Sequence, residues 1–205
     1  MASEARAKAD AYDARSICYR EMGDLEAALN DVNTAIKFNP NDDDLYFARG
    51  VLPAFNNQFA DAILDYSKAI ELNPVRPDVY INRGSLFLQQ EMYQKALDDY
   101  KKAVKYGPHL VRAWYGLGAA SSELHQYNSA VLAFSKALEQ NSVANSDNAG
   151  VEYARIYYVR ALAFKGWGNT NAAIQDFEAS LASPDITEEI KTDVEQQLSL
   201  INQSP

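Results

Sequence analysis

The chain has 205 residues, 47% of them hydrophobic, enough for a substantial buried core arranged as one or two compact domains or as one array of repeats. Its 28 acidic and 19 basic residues give a net charge of -9, whose field repels phosphate backbones and anionic lipid head groups; nucleic acid is excluded as an expected partner and a basic one is favoured. The single cysteine, Cys18, permits neither an internal disulfide framework nor a thiol cluster for zinc, and fits a reducing compartment such as the cytoplasm.

The opening MASEARAKADAYDA alternates charges with alanines and holds no apolar signal core, and no later run approaches the roughly 20 apolar residues of a membrane span, so a soluble chain is expected. A first helix is predicted around Tyr12 and Ser16, followed by the amphipathic run LEAALNDVNTAIKFNP ending at Pro40. Tyr46 and Gly50 then precede FADAILDYSKAIELNP, Tyr80 and Gly84 precede YQKALDDYKKAVKYGP, Trp114 and Gly118 precede YNSAVLAFSKALEQNS, and Tyr157 and Ala161 precede TNAAIQDFEASLASP. In every unit a large ring and a small residue four positions on share one helix face. The second helix carries small slots seven residues apart, at Ala28 and Ala35, Ala62 and Ala69, Ala96 and Ala103, Ala130 and Ala137, and Ala173 and Ser180, where only a small side chain lets helices pack closely. Pro40, Pro74 and Pro108 follow at steps of 34 residues, and proline cannot continue a helix. Residues 145–153, NSDNAGVEY, read as an inserted polar loop, and Ile186, Ile190, Val194, Leu198 and Ile201 form the stripe of a capping helix at about 186–203. Pro53, within a first helix, predicts a bend or an early end there.

A helix-turn-helix unit of 34 residues with this pattern resembles the tetratricopeptide repeat (TPR) family, over units 9–42, 43–76, 77–110, 111–144 and 154–187 of a single domain. The resemblance implies an all-α, right-handed superhelical array of about five repeats with a C-terminal capping helix, its first helices lining a concave groove. It also implies a scaffold that binds a peptide or a helix of a partner protein, with no enzymatic activity and no cofactor. The alternative is a structural spacer or self-assembling domain of a larger protein.

Arg15, Arg49, Arg83 and Arg160 stand on first helices where the family more usually has an apolar residue, and each is followed sixteen residues later by an aspartate: Asp31, Asp65, Asp99 and Asp176. The fourth unit has Leu117 and Ala133 instead, so both charges are present or absent together, which predicts pairing within each repeat rather than a stripe for a ligand.

The groove candidates are the residues just after the opening aromatics and one turn further on: Phe47, Ile81, Tyr115 and Tyr158, with Val51 and Leu162. Asn82, Arg112 and Arg155 project between them as groups able to hydrogen-bond a peptide backbone or accept a carboxylate. The carboxylate clamp by which some co-chaperones of the family hold chaperone tails finds only Asn82 and Arg112 in place here, which disfavours that ligand. His109 and His125 have no carboxylate or thiol at metal-ligand spacing, and GLGAAS at Gly116–Ser121 imitates a phosphate loop while lying within a predicted first helix with no strand before it. Neither points to catalysis or to a metal.

Overall fold

The computed structural model describes residues 2–55, 58–143 and 151–203. Among these lie eleven α-helices: α1 (Ala2–Glu21), α2 (Leu25–Phe38), α3 (Asp43–Phe55), α4 (Phe59–Leu72), α5 (Pro77–Gln89), α6 (Tyr93–Tyr106), α7 (Val111–Glu123), α8 (Tyr127–Val143), α9 (Tyr153–Gly166), α10 (Thr170–Ala182) and α11 (Glu188–Asn202). The chain divides within α5 into two compact units, Met1–Leu86 and Phe87–Pro205.

In the N-terminal unit α1 pairs with α2 and α3 with α4, and α2 also packs on α3. The small slots are fully closed: Ala28, Ala35, Ala62 and Ala69 have no exposed surface, so a longer side chain would separate the helices. Val32 and Leu52 pack beside Ala28, and Tyr66 beside Ala62. The Tyr66 ring lies where a β-carbon on Gly50 would come within 2.8 Å of it, which explains the small residue one turn after Tyr46. α3 continues past Pro53 to Phe55 and is 13 residues long, the same as α5 and α7, so the early end expected at this proline does not occur.

In the C-terminal unit α7 pairs with α8 and α9 with α10, while α6 packs on α7 and α8 on α9. Phe134, Ala130 and Ala137 of α8 form a core with Val111 of α7 and Ile156 of α9. α11 covers Ala161, Ala173 and Phe177 with Ile190 and Val194, and Leu198 and Ile201 pack beside them, so the predicted stripe closes the last apolar face. Of the loop expected at 145–153, residues 145–150 lie outside those described; Val151 and Glu152 lead into α9, which already begins at Tyr153.

The opening aromatics do more than fill space. Tyr46 donates its hydroxyl to the Pro40 carbonyl at 3.1 Å, Tyr80 to that of Pro74 at 3.2 Å, and Trp114 its indole N–H to that of Pro108 at 2.8 Å. A carbonyl left over where one repeat stops is thus satisfied by the first helix of the next.

The arginine ladder forms ion pairs within repeats. Arg15 grips Asp31 through Nε at 2.6 Å and Nη2 at 2.7 Å, Arg49 grips Asp65 at 2.9 and 2.7 Å, and Arg160 grips Asp176 at 2.6 and 2.7 Å. The Arg15 guanidinium holds the Asp31 carboxyl below its usual range. Each arginine has a second anchor: its guanidinium lies 5.3 to 6.0 Å from the centre of the opening ring three residues before it, at Tyr12, Tyr46, Tyr80 and Tyr157. A third contact reaches back to the preceding repeat. Nη1 of Arg49 donates to Asn33 Oδ1 at 2.8 Å, that of Arg83 to Ser67 Oγ at 2.9 Å, and that of Arg160 to Ser135 Oγ at 2.9 Å. Where the ladder is interrupted at Leu117, the residue sixteen before is Lys101, which can accept nothing, so all three partners change together. The Arg15 side chain is 56% exposed against 27% for Arg49 and 18% for Arg160.

Candidate functional site

The candidate residues fall in both units. In the N-terminal one, α3 supplies Phe47 and Val51 and α5 supplies Ile81 and Asn82. Phe47 and Val51 are half-buried, packed beside Ala62, Tyr66 and Val79, and the rings of Phe47 and Tyr66 lie 5.9 Å apart. Ile81 is buried, with only 6% of its surface left to offer a ligand. Asn82 stands close to the Tyr66 hydroxyl. Burial pushes that phenol up to about 12, with the neighbouring Asn82 amide opposing.

An additional residue dominates this stretch. Arg76, in the turn before α5, lies over the face of Phe47 with its guanidinium 4.9 Å from the ring centre. It donates to Asp43 at 2.8 Å and to Asp78 at 2.6 and 3.2 Å, and it also contacts Asp44. Its side chain is 17% exposed, and these carboxylates hold its proton more firmly than usual in spite of its burial. One repeat earlier the arrangement is inverted: Asp13 occupies the place of Phe47 and Asp42 that of Arg76. Burial and the charges of Asp42, Asp44 and Asp10 raise the Asp13 carboxyl above its usual range, with Arg20 opposing, and its Oδ1 is enclosed without a hydrogen-bond partner among the described residues.

In the C-terminal unit α7 and α9 bring Tyr115, Arg155 and Leu162 together. Tyr115 leans on Phe134 with ring centres 5.8 Å apart; burial raises its phenol, with the nearby Arg155 charge opposing. Arg155 is exposed, and its Nε stands 3.6 Å from Glu152. Arg112 is exposed in the first turn of α7, three residues before Tyr115 on the same face. Tyr158 faces elsewhere: its ring lies 6.2 Å from Phe177 and packs on the core that holds Ile190 and Val194 of α11, so it serves the junction with the capping helix. Leu162 also packs on that core.

Between α7, α8 and α9 lies a cavity of about 300 Å³, lined mainly by Tyr115, Ala119, Phe134, Val159 and Leu162, with Ser122, Glu123, Tyr127 and Ala163 completing it. The Ser122 hydroxyl oxygen is enclosed there and has no hydrogen-bond partner among the described residues. Sequence reasoning missed Arg76 and Ser122. Ser122 could have been found, because Tyr115, Ala119 and Ser122 follow one helical face. Arg76 stands in a turn where the repeat leaves no pattern.

His125 sits just past α7 with a left-handed φ of 57°, its Nδ1 2.8 Å from the Tyr127 hydroxyl, a turn position rather than a site. Among the described residues no group of histidine, cysteine, aspartate and glutamate side chains is placed to hold a metal, and no helix is long and apolar enough to cross a membrane.

Models of the tetratricopeptide repeat match residues 77–110, 111–143 and 154–183, and a model described as TPR repeat matches 18–52 and 56–91. The chain belongs to the tetratricopeptide repeat family. Its all-α fold is shared with solved structures of low sequence identity. A MamA structure from Desulfovibrio magneticus RS-1 is 20% identical, with a TM-score of 0.75 over 85% of this chain and 94% of that one. YrrB, described as a TPR protein with an unusual peptide-binding site, is 16% identical, with a TM-score of 0.75 over 90% of each chain. PilF of Pseudomonas aeruginosa is 20% identical, with a TM-score of 0.72 over 92% of this chain and 81% of that one. No curated protein matches the sequence.

Proposed function

We propose that this TPR chain is a protein-interaction scaffold that holds a peptide or an exposed helix of a partner against its first helices, with the face formed by α7 and α9 as the principal contact. The observation that carries the reading is the cavity bounded by Tyr115, Phe134, Val159 and Leu162: concave, mostly apolar, and furnished with an unsatisfied hydroxyl at Ser122. Such a surface suits an apolar anchor side chain, and the guanidinium groups at its edge suit the polar atoms that fix a segment's register. YrrB, with its peptide-binding site, is a solved example of this fold in that role. In the N-terminal unit, Phe47 and Val51 are the corresponding apolar positions, but Arg76 already lies across Phe47. Tyr158 and Ile81 act mainly as packing residues.

Affinity capture with the wild-type chain, followed by titration of the captured partner against Tyr115→Ala/Leu162→Ala, tests the reading. A loss of affinity of tenfold or more is expected, with helicity unchanged by circular dichroism. Equal affinity for the folded double variant and the wild type would remove this face from the function.

A further inference from the structure

We propose that the segment received between α7 and α9 carries a large apolar side chain beside a carboxylate, so that this end of an acidic protein takes an acidic partner. The inference rests on the reading of this face as the docking surface and adds the chemistry of what docks.

The first argument is a change of sign along the repeat. The second position of the five units reads Asp10, Asp44, Asp78, Arg112 and Arg155, three carboxylates followed by two guanidiniums. The first turn of α3 holds Asp43 and Asp44 and that of α5 holds Asp78, whereas the first turns of α7 and α9 hold no acidic residue. At α7 the partial positive charge of the helix start therefore adds to Arg112, whereas at α9 it is met by the Asp185 carboxylate, which accepts from the Tyr153 and Ala154 N–H groups at 2.6 and 3.1 Å, and by the N-cap residue Glu152. A net charge of -9 describes the far field; at contact distance the nearest groups decide the sign of the ligand.

The second argument is geometric. Arg155 stands one turn before Val159 of the cavity lining on α9, and Arg112 one turn before Tyr115 on α7. Arg155 is 45% exposed, and a guanidinium has five N–H donors, of which the 3.6 Å approach of Glu152 uses a minority. A carboxylate arriving at the rim thus meets unused donors while its neighbouring side chain enters the cavity. The space of about 300 Å³ is sized for one branched or aromatic side chain. Glu123, the carboxylate on the lining, is the last residue of α7, eleven positions beyond Arg112 and at the opposite end of that helix. Ser122 supplies the remaining request: its enclosed hydroxyl needs an acceptor, which the backbone carbonyl of an inserted residue provides.

A random dodecapeptide library displayed on phage, panned against the whole chain, tests this. Wild type is expected to enrich Leu, Ile or Phe within one or two positions of Asp or Glu, and Arg112→Glu/Arg155→Glu to weaken the selected peptides at least tenfold and to enrich Lys and Arg instead. Ala119→Phe, which fills the cavity, is expected to abolish selection of either class; should it fail to fold, Leu162→Glu on the half-exposed wall replaces it. If Ala119→Phe abolishes binding but charge reversal leaves the peptides unchanged, or if wild type selects basic peptides, the acidic ligand is wrong while the docking face stands. If the peptides bind the filled variant as tightly as wild type, or none is enriched, the docking face itself is wrong.

Discussion

Phe47 and Tyr115 are the fifth residues of α3 and α7, helices of equal length at equivalent places in the repeat, yet one is covered and the other borders a cavity. The difference lies outside the helices. Arg76, drawn to Asp43, Asp44 and Asp78, lies across the Phe47 ring, while the Tyr115 ring leans on Phe134 and leaves space above Ala119. Equivalent positions of the repeat thus differ in what covers them, and at Phe47 the difference is made by a charge in the turn before the next helix.

The largest expected effect comes from breaking a ladder pair in the N-terminal unit. Asp65→Ala leaves the Arg49 guanidinium, 27% exposed, without its bidentate partner. A fully buried pair broken this way costs about 3–5 kcal/mol; partial solvent access reduces this to about 2–3 kcal/mol, read from urea unfolding. Importing the C-terminal unit's solution as Asn33→Lys/Arg49→Leu/Asp65→Ala, which copies Lys101, Leu117 and Ala133, is expected to recover more than half of that loss. A triple variant no more stable than the single one would show that the interrupted ladder is not an equivalent way of joining repeats.

A smaller effect separates the two units at their tightest approaches. A β-carbon on Gly116 would lie 2.1 Å from the Tyr100 ring, which is itself 4% exposed and has little room to turn. Gly116→Ala should cost about 1–3 kcal/mol, the range of overpacked cores, and Gly50→Ala, facing Tyr66 at 2.8 Å, should cost less. Equal costs from thermal unfolding would mean that Tyr100 swings aside freely.

The smallest effect concerns pH. The raised carboxyl of Asp13 binds its proton more tightly in the folded chain than in the unfolded one, so its ionised form opposes folding above that raised value. As pH falls through the folded value toward the ordinary one the opposition is relieved. Asp13→Asn is therefore expected to raise Tm at pH 7 by about 1–2 °C, with the gain gone below about pH 4. A gain independent of pH would assign the effect to packing.

The fold was legible because the repeat reports on burial: the alanine slots, the opening rings and the stripe of α11 all mark places where helices touch, and contact restricts residue size. The pairing of Arg49 with Asp65 was visible because both partners vanish together at Leu117 and Ala133. Its third member was hidden by the insertion, since Ser135 precedes Arg160 by 25 residues where Asn33 precedes Arg49 by sixteen. The candidate site was only partly legible. Tyr115, Leu162 and Arg155 share one neighbourhood, but the helix periodicity that selected Ile81 and Tyr158 equally well cannot tell a ring facing solvent from one packed under the next helix. Pro53 did not end its helix early: α3 runs on to Phe55, two residues past the proline.

The backward-reaching contact of the ladder arginines also governs how such an array can grow. A repeat that carries arginine on its first helix and Asn33 or Ser67 on its second brings both a hook and an eye, so tandem duplication of that repeat creates a matched joint at once. The repeat from 77 to 110 is different: it carries Arg83 facing back and Lys101 facing forward. Copied after itself, it would set an arginine against a lysine, and it tolerates as successor only a repeat that begins like the one holding Leu117. The order of the two repeats that meet there is thus set by Lys101, Leu117 and Ala133.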